Sequence, residues 1–161
     1  MNRNRKTTVR GFSLIELVIV VVIIGIIGAI AIPRMSRGAA GATDAALIGD
    51  LAVLRNAIDL YAAEHAGKFP AFASITDQLT KLTKGDGTVD DGTGKTGGFI
   101  YGPYVRNVPS LPVGSNKGKN TFTDTKDTPG FGWYYVASTG EIFANLLDTE
   151  IDEGGKAYNT Y

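Results

Sequence analysis

The hydrophobic pattern of the chain changes twice. From Phe12 to Ile32 the only charged residue is Glu16, and Val, Ile and Leu fill most of the 21 positions. A helix built from such a run is apolar on every side and needs an apolar surrounding. At 1.5 Å per residue it extends about 32 Å, close to the ~30 Å hydrocarbon thickness of a bilayer. Residues 12–32 are therefore predicted to be a membrane-spanning helix, in which Gly25 and Gly28 are tolerable. Pro33 follows where the run ends, and it is expected to kink a continuing helix rather than stop it. The pattern then becomes periodic: Leu47, Leu51, Leu54, Ile58, Tyr61 and His65 recur at steps of four and three. That spacing predicts an amphipathic continuation over residues 33–66, with one apolar stripe to pack on the protein's own domain. Gly67 and Pro70 supply the stop.

Residues 67–161 form the remaining unit. Ser74 and Asp77, with Ile75, Leu79 and Leu82 on one face, predict a short capped helix over residues 74–84. Residues 85–102 hold seven glycines with Asp86, Asp90 and Asp91, and are expected to be a mobile polar excursion. Residues 99–101 and 104–105 are candidate strand pieces. The strongest strand pair is residues 132–136 with 141–145, joined by a turn through Ala137-Ser138-Thr139-Gly140. The tail after Leu147 is expected to fray. The predicted fold class is α+β, a long N-terminal helix packed on a small antiparallel sheet. If helical throughout, residues 12–66 would reach about 80 Å. A domain of the last ~95 residues has a radius of gyration of only about 12–13 Å. The first half of the helix must then project, and being apolar it must sit in lipid or against other copies of itself.

Charge sharpens this picture. Sixteen Lys and Arg balance sixteen Asp and Glu, without the basic excess of a dedicated nucleic-acid binder. The absence of cysteine excludes disulfides, thiolate metal sites and cysteine nucleophiles, and the one histidine excludes a multi-histidine zinc site. Arg3, Arg5, Lys6 and Arg10 precede the apolar run with no acid among them, which predicts a cytoplasmic N-terminus and an exported remainder. Three readings fit such a segment. It is a cleaved secretory signal with Ala29-Ile30-Ala31 as its small-x-small site, a plain anchor, or a helix in which Glu16 has a job. A carboxylate inside an apolar run costs something like 2–3 kcal/mol. Neither of the first two readings gains anything from it, so Glu16 calls for a named partner.

The residues Arg10-Gly11-Phe12-Ser13-Leu14-Ile15-Glu16, the aliphatic run and Pro33 resemble the N-terminus of the type IV prepilins and the pseudopilins of type II secretion. The resemblance is strong over residues 10–40 and elsewhere extends only to general layout. It implies cleavage by prepilin peptidase between Gly11 and Phe12, N-methylation of Phe12, and pairing of Glu16 with the terminal amine of a neighbouring subunit. It divides the chain into a leader (1–11), a transmembrane and filament-core helix (12–32), its amphipathic continuation (33–66) and a small head (67–161). Implied partners are the peptidase, other pilins and copies of this chain, an assembly platform protein, its ATPase, and the inner membrane. The implied function is structural and not enzymatic. It is a subunit of a secretion pseudopilus or a type IV pilus-like filament, with secretion pseudopilus, surface pilus and DNA-uptake pseudopilus all open and the secretion subunit slightly favoured, and with the head in the periplasm or at the cell surface. The rival is a soluble exported domain released after Ala31.

Other chemistry is thinner. Gly92-Thr93-Gly94-Lys95-Thr96 looks like a phosphate loop, but Val89 stands where the signature needs glycine. Asp86, Asp90, Asp91, Asp124 and Asp127 are candidate calcium ligands by residue type, as are Asp148, Glu150 and Asp152, without a recognisable spacing. Resemblance to the major pseudopilins, which carry a calcium site in their C-terminal domain, adds a second reason. His65 is expected in the core or at a helix end, and Trp133, Tyr134 and Tyr135 mainly in the core. If the four basic leader residues are removed, twelve basic residues face sixteen acids and the remaining subunit carries −4.

Overall fold

The computed structural model describes residues 11–161, without the side chains of residues 31–40. The described residues divide into two compact units, residues 11–39 and residues 40–161. Helix α1 (Leu14–Glu64) is 51 residues long and runs through Pro33 without ending there. Valine and isoleucine are mediocre helix formers in water. What favours helix here is a long run with no polar side chain to compete for backbone groups, opened by a cap at Ser13 and Glu16.

In the second unit the stripe read from the sequence is the core. Leu47, Leu51, Leu54, Ile58 and Tyr61 are buried in one cluster with Trp133, Tyr135, Ile142 and Ala144. Strands β2 (Trp133–Val136) and β3 (Glu141–Ala144) pair antiparallel, with Tyr135 opposite Ile142. Burial alternates along β2, so Trp133 and Tyr135 face inward while Tyr134 and Val136 are half-exposed, as the period of two requires. The sheet is not purely antiparallel. Strand β1 (Phe122–Thr123) joins β2 in parallel, making a mixed sheet of order β1-β2-β3. A parallel partner needs a crossover instead of a hairpin, and the loop between β1 and β2 is held by Asn145. The Asn145 amide donates to Thr128 O at 2.7 Å and to Phe131 O at 3.0 Å. Two residues with no alternation to show are too short to reveal a strand in sequence.

Four other expectations are corrected. The short helix α2 (Ile75–Thr80) stops before residue 84, and the Ser74 side chain makes no cap hydrogen bond. A 3-10 turn (Phe72–Ser74) leads into it instead. The loop over residues 85–102 is tied down: Thr83 bridges to both Val89 and Tyr101, and the Phe99 ring is buried. Residues 99–101 and 104–105 contribute that single bridge and no strand. The tail is likewise docked. Tyr158 donates its hydroxyl to Asp44 at 2.7 Å, Arg55 donates to the carbonyls of Ile142 and Tyr161, and both tyrosines pack against the core.

α1 closes one residue earlier than the glycine suggests. Ala66 has φ +56 and Gly67 φ +79, and the Gly67 N–H reaches back to Ala62 O at 2.8 Å. This is a Schellman closure whose left-handed residue is alanine where glycine is usual. Ala66→Gly should therefore stabilise the second unit by about 1 kcal/mol, and Gly67→Ala should destabilise it by a similar amount. Denaturant midpoints of the two variants against the parent check this; equal midpoints would remove the strain argument.

Candidate functional site

The chemistry concentrated at the start of α1 is that of a capped, apolar helix end. Ser13 is the residue before the helix and Glu16 its third residue. The Ser13 N–H donates to Glu16 Oε2 at 2.9 Å, which satisfies one of the orphan donors of the first turn. This is half of a capping box, and the negative side chain also complements the helix dipole. The Ser-x-x-Glu spacing carries this bond in the sequence itself. Gly11 and Phe12 precede the helix, and Phe12 is 85% exposed.

From Leu14 to Ile30 every large aliphatic side chain is exposed, with Val18 the least at 45%. Monomeric proteins rarely leave so large a continuous apolar surface in water. Among the described residues no helix is long and apolar enough to cross a membrane. The described apolar side chains cover residues 14–30, about 26 Å of helix. The expected span to Ile32, and the side chain of Pro33, continue into positions whose side chains lie outside the described residues. The expected leader, residues 1–11, lies outside them too except for Gly11.

Most of the calcium candidates in the second unit are already engaged as hydrogen-bond acceptors within the chain. Asp86 accepts from Thr88 N–H at 2.9 Å, Asp90 from the N–H groups of Gly92 and Gly94, both at 2.9 Å, and Asp91 from the hydroxyl of Thr93 at 2.8 Å. The Thr88 amide holds the Asp86 carboxyl below its ordinary range; the Thr93 hydroxyl and amide do the same for Asp91. Asp124 accepts from Thr125, and Asp127 adopts φ +59. Glu150 accepts from Ser115 and Leu147 amides. Among the described residues no three His, Cys, Asp or Glu side chains group so as to hold a metal ion. The phosphate-loop lookalike contains a 3-10 turn (Gly94–Gly97), with no α-helix after it.

His65 is buried in an aromatic box. Its ring stacks on Tyr61 at 3.8 Å, with Nδ1 at 2.8 Å from Tyr61 O and Nε2 at 2.9 Å from Lys84 O. It clamps the end of α1 to the loop at residues 83–84. Close by, Tyr104 donates to Glu64 at 2.6 Å, and burial, then that bond, push the Tyr104 hydroxyl well above its ordinary range. At the tail, burial and the bond to Asp44 push Tyr158 up to about 12.

Comparison with known proteins gives one match. Residues 6–32 fit the prokaryotic N-terminal methylation motif, which is the prepilin-type cleavage and methylation signal of type IV pilins and pseudopilins. No curated protein and no solved structure matches the chain. The motif implies processing by prepilin peptidase and assembly into pilin filaments.

The docked tail has its own acid sensitivity. The Tyr161 hydroxyl donates to Asp152, as does Lys156 N–H at 2.8 Å, and these bonds hold the Asp152 carboxyl below its ordinary value. A carboxyl lowered on folding stabilises the structure above its unfolded value, about 3.9, and loses that contribution as pH falls through the folded one. Protection of the amides at residues 152–158, taken relative to intrinsic exchange rates, should fall below about pH 4. In Asp152→Asn the acid step should be absent; a step of unchanged size there would assign it to another group.

Proposed function

We propose that this chain is a structural subunit of a type II secretion pseudopilus or type IV pilus-like filament, inserted in the inner membrane as a precursor and packed into the filament through α1. The observation that carries this reading is the coincidence of the methylation motif over residues 6–32 with a helix whose aliphatic side chains from Leu14 to Ile30 are all exposed. In the proposal, prepilin peptidase cuts after Gly11 and methylates the amine of Phe12, which stands exposed before the helix. The secretion pseudopilus is the favoured machine, and the platform protein and ATPase do the work of extraction.

Glu16 then has two successive partners. In the single chain its carboxylate takes the Ser13 N–H, so the charge is neither bare nor fully satisfied: a carboxylate accepts up to about four hydrogen bonds. The remaining capacity is what the methylated amine of a neighbouring Phe12 would use, converting a costly intramembrane charge into a neutral pair. The oxygen atoms of Glu16 are presented at the surface of the first turn, where a second chain can reach them.

Two measurements test the reading. N-terminal sequencing of the mature protein should return methyl-phenylalanine at Phe12; a chain beginning at Ile32 would replace the proposal with secretory cleavage and a released soluble domain. Glu16→Ala should leave membrane insertion intact and lower incorporation into filaments at least tenfold, with Glu16→Gln intermediate because it keeps the acceptor but not the charge. Wild-type incorporation of both variants would remove the amine-pairing role.

A further inference from the structure

A small cavity lies on the outer side of the β2–β3 hairpin, walled by Tyr134 and Phe143 and bordered by Lys126, Asp127, Asn145 and Asn159. The two rings stack with centroids 6.1 Å apart. Its volume, about 50 Å³, is several times the 10–15 Å³ that one water needs. Two buried side-chain atoms among the described residues have no hydrogen-bond partner, Asn145 Oδ1 and Asn159 Oδ1, and both belong to residues of this wall. Asn145 is 1% exposed.

Neither amide can be turned round to remove the problem. Asn145 spends its Nδ2 hydrogens on the carbonyls of Thr128 and Phe131. Asn159 spends its own on Leu146 O at 3.0 Å and Asp148 Oδ1 at 2.6 Å. Rotating either amide would set an oxygen against two acceptors. Both residues are thus locked with their donors consumed and their carbonyl oxygens left over. Asp127 adds a carboxylate, which as an ion only accepts, and the aromatic faces add negative quadrupole. The wall of the cavity asks for a cationic donor.

We infer that this cavity binds a primary ammonium group of the lysine type, its hydrogens directed to the two asparagine carbonyls and its charge to Asp127 and the ring faces. Lys126 displays the preference in miniature: its Nζ lies 5.5 Å from the Tyr134 ring centroid, within cation–π range. It is an internal competitor at the rim, and an incoming ammonium must displace it. A metal ion is the other kind of cation that such oxygens could hold, but hard cations favour several carboxylates, and Asp127 is the one carboxylate bordering the cavity. The inference is independent of the filament reading, since it rests on residues 126–159 alone.

The test uses the full chain in detergent micelles, with NMR observation of the Asn145 and Asn159 side-chain amides. Nα-acetyl-lysine N-methylamide should shift both amides saturably in the millimolar range, and the norleucine analogue, one heavy atom shorter and without charge, should not. Lys126→Ala should tighten binding roughly two- to fivefold, the worth of an exposed cation–π contact, and Tyr134→Leu should weaken it by a similar factor. Equal response to norleucine amide would make the site merely apolar and overturn the proposal. Saturation by calcium chloride in place of the amine would overturn it in favour of a metal site. Absence of a saturable shift in wild type and in Lys126→Ala would leave the cavity to water and end the proposal.

Discussion

The second unit depends on one contact, the stripe of α1 pressed against the inner face of the β2–β3 hairpin. Leu47, Leu51, Leu54 and Ile58 meet Trp133, Tyr135 and Ile142 in a single cluster, and several loops are anchored to it. The Trp133 indole donates to Pro109 O at 2.9 Å and the Tyr135 hydroxyl to Pro70 O at 2.8 Å. The same residues that exclude water therefore also fix the chain segments running over them. Buried aromatic groups with a polar handle do this well, because the handle must find a partner and so fixes a loop. α1 thereby carries two kinds of surface. One is buried by its own chain, and one, over residues 14–30, is left exposed.

The sequence was most legible where a single period holds over many residues. The stripe from Leu47 to Tyr61 and the alternation Trp133-Tyr134-Tyr135-Val136 could be read because each residue repeats the evidence of its neighbours. What was not legible depends on contacts distant in sequence. The parallel strand Phe122–Thr123 is made a strand by Trp133 and Tyr134, not by its own composition. The glycine-rich segment seemed free because its residues are polar, yet its fastening comes from Thr83 and from Phe99. The tail was judged by its acids and glycines, while Tyr158 and Arg55, 103 positions apart in the numbering, were the residues that dock it.

At the candidate site the division is similar. Gly11, Phe12 and Glu16 were read from local spacing, and the methylation motif rests on the same local information. The Ser13–Glu16 bond is equally local, carried by a three-residue spacing. The unpaired oxygens of Asn145 and Asn159 belong to a different class. Each depends on which carbonyls lie near the opposite side of its amide, a fact set by the folded loops between β1 and β2 and after β3. No pattern along the chain marks those two asparagines off from the others.

The short edges of the sheet have a consequence for how copies of this chain can meet. At one border stands β1, two residues long, which offers little ladder to extend. At the other, the outward carbonyl of Ile142 is already taken by Arg55, and the 3-10 turn (Tyr158–Thr160) lies against β3. Unprotected edges recruit further strands and lead to uncontrolled stacking. With one border short and the other covered, this unit has little backbone register to share with another copy. Crowding at high local concentration then leaves side-chain surfaces as the means of contact, and those can be separated again without unzipping a sheet.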